Sequence, residues 1–246
     1  MAKKKASQKS EPPAAAQAGP KVLAEVELFK DMPPGELSEL ETFARFKRFP
    51  AGAQIFDRQS ETNDVFFVIR GGVRVVNYSV SGREITLDDI LQGGHFGELA
   101  AIDGQPRSAS VMAITESLIV ALPARIFITA MKRNPNMALG VMRDLVRVIR
   151  LSTERIMDLS TLGANNRVHA DLLRQARANM TGDNQAEIDP IPIHGDIASR
   201  VSTTRETVAR VMNELARQGI IERKKNVLAI HDVNNLQGVV EEVRGE

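Results

Sequence analysis

No cysteine occurs among the 246 residues, which removes disulfides, iron–sulfur clusters, thiolate–zinc sites and thiol nucleophiles together. Long apolar runs are missing as well: stretches such as Val65 to Ile69 fall far short of a membrane span, so no membrane partner is expected. No apolar segment of signal length follows Met-Ala-Lys-Lys-Lys, and a cytoplasmic location is the expectation. Charge of one sign is lacking too. With 32 basic against 31 acidic residues the net charge is +1, so any patch that attracts nucleic acid must be local. His95, His169, His194 and His231 show no metal-ligand spacing, and no metal is expected.

What is present is an ordinary globular composition, 43% hydrophobic and 26% charged, long enough for two modest domains. From Met1 to Pro20 the only large apolar residue is Met1, joined by Lys3, Lys4, Lys5 and Lys9, so 1–20 reads as a disordered basic tail. Between 21 and 133 the pattern is short and period-two, with strands expected at Ala53 to Phe56, Val65 to Ile69, Val73 to Tyr78 and Glu84 to Ile90. Recurring glycines, among them Gly71, Gly72, Gly82, Gly93 and Gly94, fit an antiparallel meander, roll or barrel. The stretch around Phe29 to Leu37, continued by Leu40 and Phe43, resembles a short helix packed outside it.

Asn134, followed by Pro135, opens a long helical pattern over 134–163. Leu139, Met142, Val146, Ile149, Thr153 and Ile156 alternate steps of three and four, the spacing of a coiled-coil seam. A second stripe, Val141, Leu145, Val148, Ser152, Leu159 and Leu162, lies on a neighbouring face. Two apolar faces need two partners, which points to the β domain on one side and the same helix of a second chain on the other. Ser152 and Thr153 interrupt the stripes at one height. They either set register or touch a ligand.

Phe96-Gly97-Glu98-Leu99-Ala100, then five residues, then Pro106-Arg107-Ser108-Ala109-Ser110 suits a small anionic ligand carrying a sugar. Gly97 permits close backbone approach, Arg107 offers a charge-assisted hydrogen bond to a phosphate with the Ser108 hydroxyl beside it, and Glu98 accepts from a ribose hydroxyl. Taken singly, the same residues are a glycine turn, a surface ion pair and a loop serine. An enzyme acting on a nucleotide phosphate would use the same pair, but no nucleophile or activated base accompanies it.

In 164–246 Ile197, Ala198 and Val201, followed by Thr203 through Val211, read as a short helix, a tight turn and a second helix. Thr203 and Glu206 have the Thr-x-x-Glu spacing of a capping box. Val208, Val211, Met212 and Leu215 share one face, and Glu206, Arg210 and Asn213 the opposite one, with Arg205 at the N-terminal shoulder. Arg200, Arg205, Arg210, Arg217, Arg223, Lys224 and Lys225 outnumber Asp196, Glu206, Glu214 and Glu222 in this stretch. A hairpin from Ile220 to Ile230 completes a winged helix-turn-helix, whose second helix suits the major groove.

The order and spacing of Gly97-Glu98 and Arg107-Ser108 resemble the phosphate-binding cassette of cyclic-nucleotide-binding domains. Arg205-Glu206-Thr207-Val208 with Arg210 is similar to the recognition helix of the Crp/Fnr regulators, close to their cyclic-AMP-receptor branch. The resemblance runs from about Leu28 to His231. It implies an α+β fold: a disordered basic tail (1–20), a cyclic-nucleotide-binding β-roll of double-stranded β-helix or jelly-roll type (21–133), a dimerisation helix (134–163) and a winged helix-turn-helix DNA-binding domain (164–246). It implies a ligand, cAMP or cGMP, held by Gly97, Glu98, Leu99, Arg107, Ser108 and Ala109, with Ser152 and Thr153 contacting the purine across a homodimer. The family helix carries a Thr-Ser pair there, in swapped order. It further implies a TGTGA-type palindromic DNA site read by Thr204, Arg205, Glu206, Thr207 and Arg210. RNA polymerase is expected as a partner, although Thr181 to Pro190 departs from the family loop that contacts it. The other outcome is a regulator that binds DNA constitutively or answers a different effector.

Overall fold

A computed structural model describes residues 22–244, and the basic tail expected at 1–20 lies outside the described residues. The chain is α+β and divides into two compact units, the first made of residues up to Val73 with Ile90–Ser108 and Ala113–Met137, the second of Arg74–Asp89, Ala109–Met112 and Ala138 onward.

In the first unit two 3-10 turns, Val22–Glu25 and Glu27–Phe29, lead into helix α1 (Pro34–Glu41), which starts on a proline and buries Leu37 and Leu40. Strands β1 (Arg45–Phe49), β2 (Gln54–Phe56) and β3 (Val65–Arg70) follow, then β4 (Gly72–Tyr78), β5 (Glu84–Leu91) and β6 (His95–Phe96). Helix α2 (Glu98–Asp103), strands β7 (Ser110–Ala113) and β8 (Ser117–Leu122) and helix α3 (Ala124–Arg133) complete this half. One antiparallel sheet has the order β1-β8-β3-β6, with Phe46 opposite Val120 and Phe66 opposite both Ala121 and Phe96. Strand β3 is buried from Val65 to Ile69, which explains why it reads as an unbroken apolar run rather than an alternating one. Phe67 is fully buried between Phe29, whose ring centre lies 4.9 Å away, and Phe127 at 6.2 Å.

The second unit holds most of the neighbouring strands β7, β4 and β5, nearly all of α4 (Pro135–Thr161) and every later helix. The seam on α4 is exposed as far as the chain itself covers it: Met142 at 53%, Ile149 at 64% and Ile156 at 62%. The second stripe is covered only at its ends. Val141 and Leu162 are buried and Leu145 is half-buried, but Val148, Ser152 and Leu159 are exposed; β5 meets α4 through polar groups, the Asp88 carboxylate paired with Arg147 and the Leu87 carbonyl bonded to Arg155.

Helices α5 (Ala164–Ala178), α6 (His194–Arg200), α7 (Arg205–Arg217) and α8 (Val233–Arg244) surround a core containing Leu172, Ile197, Val208, Leu215 and Leu236. The expected hairpin, β10 (Ile221–Arg223) with β11 (Leu228–Ile230), gains a third strand, β9 (Ala186–Ile188), paired through Ala229 and Glu187. Among the described residues no helix is long and apolar enough to cross a membrane.

Phe67→Ala is expected to cost about 3–5 kcal/mol, because a fully buried aromatic leaves a cavity between two rings that relax only partly; the shift of the urea midpoint measures it. His169 on α5 supplies a pH test. Burial holds its pKa below the ordinary 6.5, and its Nδ1 has no partner. The unfolded chain therefore takes up a proton near 6.5 that the folded chain refuses, so stability contributed by this residue is full above that pH and declines as pH falls below it. His169→Gln should flatten the stability profile between about pH 6.5 and 5.

Candidate functional site

The cassette is assembled in the first unit around Arg107. Its backbone is fixed first: Arg107 N–H donates to Ser60 O at 3.0 Å, and Gln59 N–H donates to Arg107 O at 2.8 Å. Its side chain then turns inward, and the residue is only 3% exposed. Nη1 donates to Gly97 O at 2.8 Å, Nη2 to Asp64 O at 2.7 Å and Nε to Thr62 Oγ1 at 3.2 Å. The guanidinium carbon lies 4.3 Å from the centre of the Phe56 ring and 5.4 Å from that of Phe66, a cation–π arrangement. Burial pushes the guanidinium below its usual basicity, and the charges of Asp64 and Glu98 pull it back. An arginine remains a cation through such a shift.

Gly97 bounds this cation and must be glycine. It is left-handed, at φ +83°, and a Cβ there would sit 2.7 Å from Arg107 Nη1 and 3.1 Å from Asp64 O. Directly after it α2 begins, which puts the half-buried Glu98 at its first position and within electrostatic reach of Arg107. Leu99 and Ser108 are exposed and Ala109 is buried. The structure therefore brings Gly97, Glu98 and Arg107 together. Ser152 and Thr153 belong to α4 in the second unit, both exposed, with Thr153 Oγ1 donating to Ile149 O at 3.0 Å. Phe56, Thr62, Asp64 and Phe66 were not anticipated; they lie 41 to 51 positions before Arg107, and no local spacing announces them.

The candidate reader is α7. The capping box expected from Thr203 and Glu206 is not formed. Thr203 is buried, its N–H donating to Ala198 O at 3.0 Å to close the turn after α6, and the cap moves one residue on. Thr204 Oγ1 accepts the Thr207 N–H at 3.2 Å. The exposed Glu206 carboxylate is held below its usual range by its own backbone N–H and the Thr204 hydroxyl, with Arg205 adding its charge. Val208, Val211, Met212 and Leu215 are buried as expected, whereas Glu206, Arg210 and Asn213 are exposed, Arg210 reaching Asn165 Oδ1 at 3.4 Å. Thr207 is half-buried and Arg205 exposed. Arg167 on α5 holds the turn before α7: it donates to the carbonyls of Val201 at 2.9 Å and Ser202 at 3.1 Å, and to Leu162 O at 2.9 Å. Sequence reading missed that clamp, since an arginine on an amphipathic helix looks like any solvated charge.

Two family models match, together spanning well over half of the chain: a cyclic nucleotide-binding domain over residues 46–134 and a Crp-like helix-turn-helix domain over 166–239. The chain belongs to the Crp/Fnr family. This is a family of transcription regulators, not of enzymes. Among curated relatives, the cyclic AMP receptor protein of Thermus thermophilus is 27% identical over 212 residues, covering 86% of this chain and 95% of its own. The CRP-like cAMP-activated global transcriptional regulator of Mycobacterium tuberculosis is 26% identical over 216 residues, covering 87% and 96%. Among solved structures, a CooA mutant from Carboxydothermus hydrogenoformans superposes with a TM-score of 0.74 at 21% identity, covering 92% of this chain and 98% of that one, which shows a shared fold. As a Crp/Fnr protein the chain binds DNA through its helix-turn-helix and carries a cyclic-nucleotide-binding domain.

Thr204→Ala should cost about 1 kcal/mol of stability by leaving the Thr207 N–H uncapped, whereas Thr203→Ser at the position first expected to cap should leave α7 helicity unchanged. Circular dichroism during urea unfolding reads both.

Proposed function

We propose that this chain is a homodimeric transcription regulator, gated by cAMP or cGMP, that reads a palindromic TGTGA-type site. The observation that carries the reading is one chain holding both a glycine-bounded buried cation and a capped helix with an exposed polar face. The donor set suits a sugar phosphate. The Arg107 guanidinium has further N–H groups beyond the three bonded to Gly97, Asp64 and Thr62, and these would neutralise the cyclic phosphate. Ser108 would bond beside it, amides of Gly97, Leu99 and Ala109 would assist, and Glu98 would accept from the ribose 2′-hydroxyl. Ser152 and Thr153 are assigned to the purine, reached across the dimer.

A second copy is supported by the α4 seam, where Leu139, Met142, Val146, Ile149 and Ile156 stay exposed at heptad spacing. Two copies would present two α7 helices to half-sites about 34 Å apart. Arg205 and Arg210 would read guanine, Glu206 would accept from cytosine, and Thr204 and Thr207 would meet the backbone. The regulator works in the cytoplasm, with RNA polymerase as a further partner. The curated relatives named for cyclic AMP favour that nucleotide.

A second reading, constitutive DNA binding or another effector, draws on the inward turn of Arg107, whose Nε, Nη1 and Nη2 all donate to the protein. Calorimetric titration with cAMP and cGMP separates the two. Saturable heat in the wild type, lost in Arg107→Ala, supports gating, and heat absent from the wild type favours the second reading. For the reader, Arg205→Ala should lose about 1–3 kcal/mol on the specific duplex and little on a scrambled one. Equal losses on both duplexes would reduce Arg205 to a phosphate contact.

A further inference from the structure

Strands β4 and β5 lie largely in the same compact unit as the reading helices, and a row of polar groups joins them to α6. Arg74 on β4 is its hub. Its Nε and Nη2 donate to the two carboxylate oxygens of Asp89 on β5 at 2.7 and 3.0 Å. Its Nη1 and Nη2 donate to both oxygens of Asp196 on α6 at 2.7 and 2.9 Å. The planar guanidinium thus grips two carboxylates in bidentate fashion, with only 11% of its side chain exposed. Burial alone lowers the basicity of Arg74, but the bonds to Asp196 and Asp89 outweigh it and raise the pKa overall, so the cation is locked in place.

The row continues in both directions. Arg200 on α6 lies 3.9 Å from Asp89 and 3.0 Å from the buried Asp171 on α5. Arg174 on α5 then bonds Asp158 on α4 at 2.6 Å. Nearby, Arg83 donates to the carbonyls of Ala198 and Thr203, and the hydroxyls of Thr86 and Ser199 are 2.8 Å apart. Every one of these pairs joins the β4–β5 region to α6 or to the turn before α7, or anchors α6 through α5 to α4. Apolar residues would hold such a contact at least as firmly. Ion pairs add direction, and this set leaves the polar face of α7, Glu206, Arg210 and Asn213, exposed.

We propose that Arg74, gripped between Asp89 and Asp196, is a positioning residue for DNA reading: it latches α6 to the β4–β5 strands and so sets the angle at which α7 is presented. The inference rests on the reading of α7 as the DNA-contacting helix. Removing the cation does more than delete a bond. It takes the shared cation from between the carboxylates of Asp89 and Asp196 and leaves Asp89 to Arg200 at 3.9 Å, so the attraction that holds α6 to the strands weakens.

The full-length protein tests this in two measurements. Without DNA or nucleotide, Arg74→Met should speed amide hydrogen exchange in His194–Arg200 by about fivefold and leave Leu228–Ile230 unchanged. On DNA, its affinity ratio for a TGTGA-type palindrome over a scrambled duplex should fall by about threefold, while binding to the scrambled duplex stays constant. The double variant Arg74→Asp with Asp196→Arg moves the cation onto α6, where it faces the carboxylates of β4 and β5, and should restore both readouts. Asp196→Asn, a gentler change that keeps the side-chain shape, should move both in the same direction by less, and it serves if Arg74→Met does not fold. Unchanged exchange in α6 overturns the latch. Faster exchange with an unchanged affinity ratio, or a charge swap that restores neither readout, overturns the positioning role. A wild type without preference for the palindrome would instead refute the reading of α7, and the exchange arm would still decide whether the latch exists.

Discussion

Burying a guanidinium obliges the fold to meet it with acceptors, and in the first unit that obligation falls on Arg107. A charge removed from water costs several kcal/mol unless its donors are satisfied. The carbonyls of Gly97 and Asp64, the Thr62 hydroxyl and the faces of Phe56 and Phe66 supply the compensation. Each places a demand elsewhere. Gly97 must adopt a left-handed backbone with no Cβ, which starts α2 and sets Glu98 at its first position. Asp64 must turn its carbonyl inward just before β3, while its carboxylate pairs with Arg45 on β1. The cation is therefore fixed before any ligand arrives, which is the preorganisation an anion-binding site needs.

The second unit solves a comparable problem with a shorter lever. α7 is too short to be stable by itself, and its rigidity comes from the buried row Val208, Val211, Met212 and Leu215, the Thr204 cap and the Arg167 clamp on the preceding turn. Polar groups exposed on its outer face are then held at fixed spacing by a scaffold that does not depend on them.

Much of this was legible in the sequence because the signals were local. Strands β3, β4 and β5 declared themselves through apolar runs between glycines, α4 through its proline start and heptad stripe, and α7 through its buried face. Failures had two physical causes. Short or strongly basic strands such as β1, with Arg45, Lys47 and Arg48, carry too little apolar pattern to register, and two-residue β6 exists only because β3 pairs with it. Long-range partnerships left no trace either: Thr62 and Asp64 meet Arg107 across about forty intervening residues, and Arg74 meets Asp196 across 122 positions. Two adjacent threonines also misplaced the cap by one residue, since only burial of Thr203 distinguishes it from Thr204.

In the proposed function the cassette around Arg107 governs the reader in α7. Binding of the purified chain to a palindromic TGTGA-type duplex, compared at fixed salt without nucleotide, with cAMP and with cGMP, tests it most directly. Gating requires tight binding only when one of the two nucleotides is present. Equal affinity in all three conditions would contradict it.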